Sequence, residues 1–230
     1  MVYSQVQICN LALGRLGAKQ FISSIDERSI NGQRCLNIWD AIFQEVLSER
    51  DWKFAKFRAE LQQSATQPLY GYKYAYALPS DFLRLVKPHR KPPVRNYYAL
   101  YGEGVYPHHD LPVRPTGYPY VVEQLEDSEG GTNTYLLIDY DNGESNEPLS
   151  INYIRLITNL NLLMPGFVNC LVWRLAQELS IAVTEDKQKF QAAQSAYRDS
   201  LNSAEAQNET LDFSEDVGSQ SWTAAGRFAG

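Results

Sequence analysis

Ten of the eleven prolines lie between Pro68 and Pro148, and thirteen of the fifteen tyrosines lie between Tyr70 and Tyr153. Proline inside a helix removes a hydrogen bond and clashes with the preceding turn. Tyrosine is at home on a pleated, half-buried strand. A chain of this kind must change structural type twice, from helix to strands and turns and back to helix. The expected fold class is therefore α+β: mainly an α-helical bundle built from both chain ends, with an inserted β-rich domain and an extended C-terminal tail. The expected boundaries are 1–52 and 161–208 for the two halves of the bundle, 53–160 for the insertion and 209–230 for the tail. No internal repeat of fixed period interrupts this plan.

The helical segments carry their own start and stop signals. A first helix is predicted from about Ser4 to Leu16, with Ser4 as N-cap, Val6, Cys9, Leu13 and Leu16 at helical spacing, and Gly17 as a stop. Asp26 or Ser29 caps a second helix reaching about Arg50. Its apolar residues Cys35, Leu36, Ile38, Trp39, Ile42, Phe43, Val46 and Leu47 span more than one stripe, which predicts packing on two sides. Pro165 suits a first-turn position before Phe167, Leu171, Leu175 and Leu179. Thr184 reads as the next cap, with Glu185 and Asp186 at the positive end of the helix dipole. The last helix then carries Phe190, Ala193, Tyr197, Leu201 and Ala204. Helices of this length gain most of their stability from packing, so the four should pack together.

Between them, Lys53–Leu61 alternates partly, and Tyr72, Tyr74 and Tyr76 fall on one face of an extended segment. Thr134–Tyr140 reads as a strand, Asn142-Gly143 as a hairpin turn, and Leu149–Leu156 as its partner strand. The proline-dense stretch Lys87–Tyr120 predicts loops and short edge strands. From Glu209 the periodicity stops, and the composition predicts a segment that only a partner would order.

Composition narrows the function classes. The chain is 44% hydrophobic and 21% charged, an ordinary globular balance. A formal charge of −6 supplies no global basic field for nucleic acid or anionic lipid. No stretch approaches the roughly 18 apolar residues of a membrane span. MVYSQVQICN has no basic region before an apolar core, so no secretory signal is expected. Cys9, Cys35 and Cys170 cannot all pair, none is in a C-x-x-C, and each falls on an apolar helical stripe, as buried reduced thiols do.

The candidate chemical motifs each have a plainer reading. Adjacent residues on an extended chain point to opposite faces, so His108-His109-Asp110 reads as a surface loop rather than a metal site. Asp139, Asp141, Gly143 and Glu144 suggest a calcium loop, but the glycine is one place early and Ser150 stands where the distal glutamate belongs, so a hairpin tip fits better. Gly102-x-Gly104 has Pro107 at its third glycine place and no following helix pattern, which removes a dinucleotide fingerprint. Glu123, Glu126, Asp127 and Glu129 form an acidic cluster that reads as a solvated loop, not as the acid and base of glycoside cleavage. Arg84, Lys87, Arg90, Lys91 and Arg95 form an acid-free basic run that could touch phosphates, but pairing with acids of a neighbouring subunit, or plain solvation, is the favoured reading. No catalytic group, metal or cofactor is expected.

A further pattern spans most of the chain. It comprises Ile8-Cys-Asn-Leu-Ala-Leu-Gly-Arg-Leu-Gly17, then Ile25-Asp26-Glu27, Val46-Leu-Ser-Glu-Arg-Asp-Trp52-Lys-Phe54-Ala and Arg58-Ala-Glu-Leu61. Its most specific part is Gly71-Tyr-Lys-Tyr-Ala-Tyr-Ala-Leu-Pro79-Ser-Asp81-Phe-Leu-Arg84, and Arg174-Leu-Ala-Gln-Glu-Leu179 completes it. In order and spacing these segments resemble the head-to-tail adaptor family of short-tailed bacteriophages (podoviruses), also called tail tubular protein A or tail accessory factor proteins. Each segment alone is a packing pattern; their succession is distinctive.

The resemblance implies a non-enzymatic virion protein of the head–tail junction, assembled in the host cytoplasm. Twelve copies would form a ring under the portal protein, extend the channel for DNA ejection and seat the tail nozzle protein and tail fibres or spikes. DNA would pass without sequence-specific binding, and no membrane insertion is implied. Leu211, Phe213, Trp222, Arg227 and Phe228 are the expected portal contacts, because such C-termini reach up to the portal. Two rival readings are a tail-carried peptidoglycan hydrolase, which needs a cleft with paired carboxylates, and a non-viral DNA-binding helical protein, which needs a basic recognition helix.

Overall fold

The structure is a computed structural model that describes residues 3–89, 120–126, 131–139 and 148–210. Helices and small antiparallel sheets are both present, so the fold class is α+β. The chain divides into two compact units, one comprising residues up to 54 and from 157 onward, the other residues 55–156.

The first unit is helical. Helix α1 (Gln5–Arg15) begins with a capping box, in which Ser4 Oγ accepts the Gln7 N–H and the Gln7 side chain accepts the Ser4 N–H. It ends where Gly17 turns left-handed at φ 71°, with Ala18 N–H donating to Leu13 and Gly17 N–H to Gly14. In helix α2 (Ile30–Glu49), Ser29 Oγ caps the Gly32 N–H at 3.0 Å. Cys35, Trp39, Ile42, Phe43, Val46 and Leu47 are buried along one stripe, whereas Leu36 is 46% exposed. The expected two-sided packing of α2 is thus corrected: Leu36 stands off the 3-and-4 spacing that the buried residues follow.

The helix buried on more than one side is α3 (Pro165–Thr184), which packs against α1, α2 and the last helix, α4 (Lys187–Glu209). Phe167 near its start is an aromatic hub. Trp52 and Phe54 meet it edge-on at 5.2 and 5.0 Å between centroids, and Phe43, itself stacked on Trp39, meets it at 6.0 Å. Buried aromatics of this kind supply large apolar area plus a geometric preference of about 1 kcal/mol per pair. The Trp52 indole N–H is satisfied by the Val46 carbonyl at 2.9 Å.

The start of α4 also differs from expectation. Thr184 is the last residue of α3, and its hydroxyl donates back to the Ser180 carbonyl at 2.7 Å. With Thr184 so committed, Asp186 is the N-cap, accepting the Gln188 N–H at 2.8 Å, and neither acid lies in the first turn.

The second unit holds two three-stranded antiparallel sheets. Strands β1 (Lys56–Leu61), β6 (Leu149–Arg155) and β3 (Phe82–His89) form one in the order β1-β6-β3. Strands β2 (Tyr74–Ala77), β5 (Thr132–Ile138) and β4 (Tyr120–Glu126) form the other in the order β2-β5-β4. The expected pairing of β5 with β6 does not occur; each is the central strand of its own sheet. The reason is burial. Leu149, Ile151 and Tyr153 of β6 share one core with Leu136 and Ile138 of β5, joined by Leu61, Tyr76 and Leu85. The two strands therefore meet face to face, where each fully buried Leu or Ile contributes about 1.5–3 kcal/mol. Asn142 and Gly143, the expected hairpin tip, lie outside the described residues.

Tyr72, Tyr74 and Tyr76 do not share a face. Tyr74 and Tyr76 pack with the inter-sheet core, whereas Tyr72 lies against a separate cluster of Ala75, Tyr135 and Leu137. Gly71 is left-handed at φ 88°, and the Lys73 N–H donates to Asp139 Oδ1 at 2.8 Å. That turn breaks the two-residue period before the strand begins at Tyr74. Likewise Lys53–Ala55 is a 3₁₀ turn and not the first part of a strand.

Candidate interaction surfaces

The Pro79–Asp81 segment carries the chain from one sheet to the other. Proline lacks the N–H to extend β2, and the Phe82 N–H closes a turn on the Pro79 carbonyl at 3.0 Å. The Leu156 N–H then donates to the Asp81 carbonyl at 2.8 Å. The Asp81 side chain accepts the Tyr153 hydroxyl at 3.1 Å. Arg155 Nε lies 2.5 Å from Asp81 Oδ2 as an ion pair, off the direction of a hydrogen bond, and the guanidinium covers the Phe57 ring at 4.7 Å. Burial first, and the Asp81 charge second, push the Tyr153 phenol above its ordinary range. A phenol held protonated as a donor to a carboxylate braces a corner.

Of the basic run, Arg84 lies half-exposed on β3 opposite Ile154, and Lys87 occupies the register position opposite Asn152. The register shifts between Phe82 and Arg84 and between Leu85 and Lys87, so sequence spacing alone does not assign their faces. Arg90, Lys91 and Arg95 lie outside the described residues. So do Leu211, Phe213, Trp222, Arg227 and Phe228, the histidines His108 and His109, and Gly102 and Gly104. Of the acidic cluster, Glu123 and Glu126 are exposed on β4 opposite Tyr135 and Thr132. The reading of these two as loop residues is corrected, since both are in a strand; three residues apart, they point to opposite faces. Asp127 and Glu129 lie outside the described residues.

The three thiols are free and buried. A hydrogen bond to Cys35, together with burial, pushes the Cys9 thiol far up, and burial raises Cys170 against the opposing effect of Ser200. Raised thiols are poor nucleophiles. Among the described residues, no group of three or more His, Cys, Asp or Glu is placed to hold a metal ion, and no helix is long and apolar enough to cross a membrane.

No family model matches this chain, and no curated protein does either.

One surface feature has no counterpart in the sequence reading. A cavity of about 480 Å³ in the helical unit is lined by Leu16, Gly17, Lys19, Arg34, Thr184 and Lys189, among others, where α1 and α3 end and α2 and α4 begin. Lys189 Nζ donates to the Leu16 carbonyl at 2.8 Å, which holds the ammonium against the left-handed Gly17. Asn31 Nδ2, from the first turn of α2, donates to the Gln20 carbonyl at 3.0 Å and steadies the same loop. Lys19 and Lys189 are far apart in sequence and share no motif, so only folding brings them together.

Proposed function

We propose that this chain is a structural virion protein: a head-to-tail adaptor whose copies form a ring between the portal and the tail nozzle. The reading rests on the ordered run of segments that resembles the adaptor family. One observation supports it: the residues of that run are packing and turn residues. Ile8, Cys9, Leu13, Trp52, Leu61, Tyr76, Leu175 and Leu179 are buried, and Pro79–Asp81 forms the inter-sheet corner. Segments of this sort specify a fold, which leaves function to surfaces. In this reading the helices from both chain ends form one bundle and the β-rich unit is its insertion. The portal-binding tail begins after α4, which includes Glu209 and has Thr210 as its C-cap, and not at Glu209 as expected. Leu211, Phe213, Trp222, Arg227 and Phe228 are the portal contacts, each worth about 1–3 kcal/mol and multiplied around a ring of twelve. The net charge of −6 suits a channel through which DNA slides without sticking.

Native mass spectrometry of the purified chain, alone and with purified portal rings, tests the reading. The expected result is a monomer in dilute solution and twelve copies per portal ring. A full-length chain that never joins a portal overturns the adaptor assignment. A chain shortened by residues 211–230 should keep its circular dichroism and lose portal binding; normal binding would overturn the role of the tail alone.

A further inference from the structure

The cavity between the helix ends is electrostatically one-sided. Its ionisable lining residues are Lys19, Arg34 and Lys189, with no carboxylate among them. In a chain that carries 27 acidic and 21 basic residues, three cations in one cavity with no acid is an uncompensated arrangement. Among the described residues none of the three forms an ion pair. The nearest acids in sequence, Glu185 and Asp186, do not line the cavity, and Asp186 is engaged in capping α4. Thr184 and Asn31 already have partners, and Lys189 gives one of its three N–H donors to the Leu16 carbonyl, so the side chains left to face an incoming ligand are Lys19, Arg34, the remaining Lys189 donors and the Gln20 amide.

We propose that this cavity is a binding site for a phosphoryl group. A carboxylate brings one charge and two oxygens, which a single arginine satisfies in bidentate fashion. A phosphate monoester brings close to two charges and three peripheral oxygens. Three cations delivered by separate segments — the α1–α2 loop, α2 and α4 — match that demand. Arg34 supplies a planar fork, and the two lysines act as point charges. The volume of about 480 Å³ falls in the range of small-molecule sites, so it admits a phosphate ester with a compact body. The lining contains no aromatic ring on which a base could stack, so recognition centres on the phosphoryl group. The ligand is therefore inorganic phosphate or a small phosphate monoester, since a diester within a DNA strand brings one charge and two free oxygens, and the site stands independently of the adaptor reading.

The test is titration of the full-length ¹⁵N-labelled chain with inorganic phosphate, a nucleoside 5′-monophosphate, a DNA duplex with 5′-hydroxyl ends, and hexaglutamate, each at one ionic strength set with sodium chloride. Saturable shifts confined to residues 16–20, 31–34 and 184–189 with phosphate or the monophosphate support the proposal; the same shifts with the duplex alone, which carries only diesters, would overturn it. Lys19→Gln and Arg34→Gln change side chains outside the hydrophobic core, and together they should weaken binding at least about tenfold with unchanged circular dichroism. Shifts with hexaglutamate only, shifts reproduced by chloride, or affinity unaltered in the double variant would each overturn the proposal.

Discussion

The side-chain carbonyl of Asn208 accepts the backbone N–H of Lys53 at 2.9 Å, across 155 residues of sequence. The same side chain donates from Nδ2 to the Asp51 carbonyl at 3.0 Å, and Asn208 is only 6% exposed. One amide thus supplies both bonds that the chain leaving α2 would otherwise seek from water. Asn208→Ala strands both backbone groups, and the expected cost is about 1–3 kcal/mol. Urea unfolding followed at the tryptophans checks this; a change below about 0.5 kcal/mol would show that water replaces the side chain.

Gly32 touches Glu27 so closely that a Cβ built on it would lie 2.7 Å from both the Glu27 carbonyl oxygen and Cγ. The carbonyl belongs to backbone, so a rotamer change cannot relieve the contact. Gly32→Ala is expected to destabilise the helical unit by about 1–3 kcal/mol despite the higher helix propensity of alanine. Thermal unfolding decides the matter, and a raised Tm would count against the contact.

The Glu27 carboxylate is held down to about 2 by the hydroxyl of Ser29 first, then by the backbone N–H and hydroxyl of Ser23. The folded value is depressed, so the loop gains its support above the ordinary carboxylate range near pH ~4.3 and loses it as pH falls toward 2. Carboxyl ¹³C shifts in an acid titration should show Glu27 titrating last among the glutamates. Glu27→Gln should remove that pH dependence of the Ser23 and Ser24 amide shifts, and an ordinary Glu27 titration near pH ~4 would refute the arrangement.

Replacing Cys9, Cys35 and Cys170 by Ala or Val should lower stability without changing assembly, because each thiol is buried and in no disulfide. Portal binding measured beside urea unfolding separates the two effects. A variant that stays folded and fails to assemble would assign the thiols a role beyond packing.

Local sequence was enough to determine the parts of this protein whose partners lie within a few residues. Ser4 before α1, Gly17 after Leu16 and Pro165 at the start of α3 are signals within one turn and could be read directly, whereas the Gln7 half of the capping box and the choice of Ser29 over Asp26 came from the structure. The mixture of helix and strand was legible for the same reason, through the confinement of proline and tyrosine. Tertiary structure alone decided which side of α2 is covered, that β5 and β6 face each other across a core instead of pairing, and that Tyr72 parts company with Tyr74 and Tyr76. It also decided that Lys19, Arg34 and Lys189 share a cavity. Periodicity reports that a face is apolar, but not what will bury it. That choice is made by contacts among distant residues, whose energies depend on the whole packing arrangement and leave no local mark in the chain.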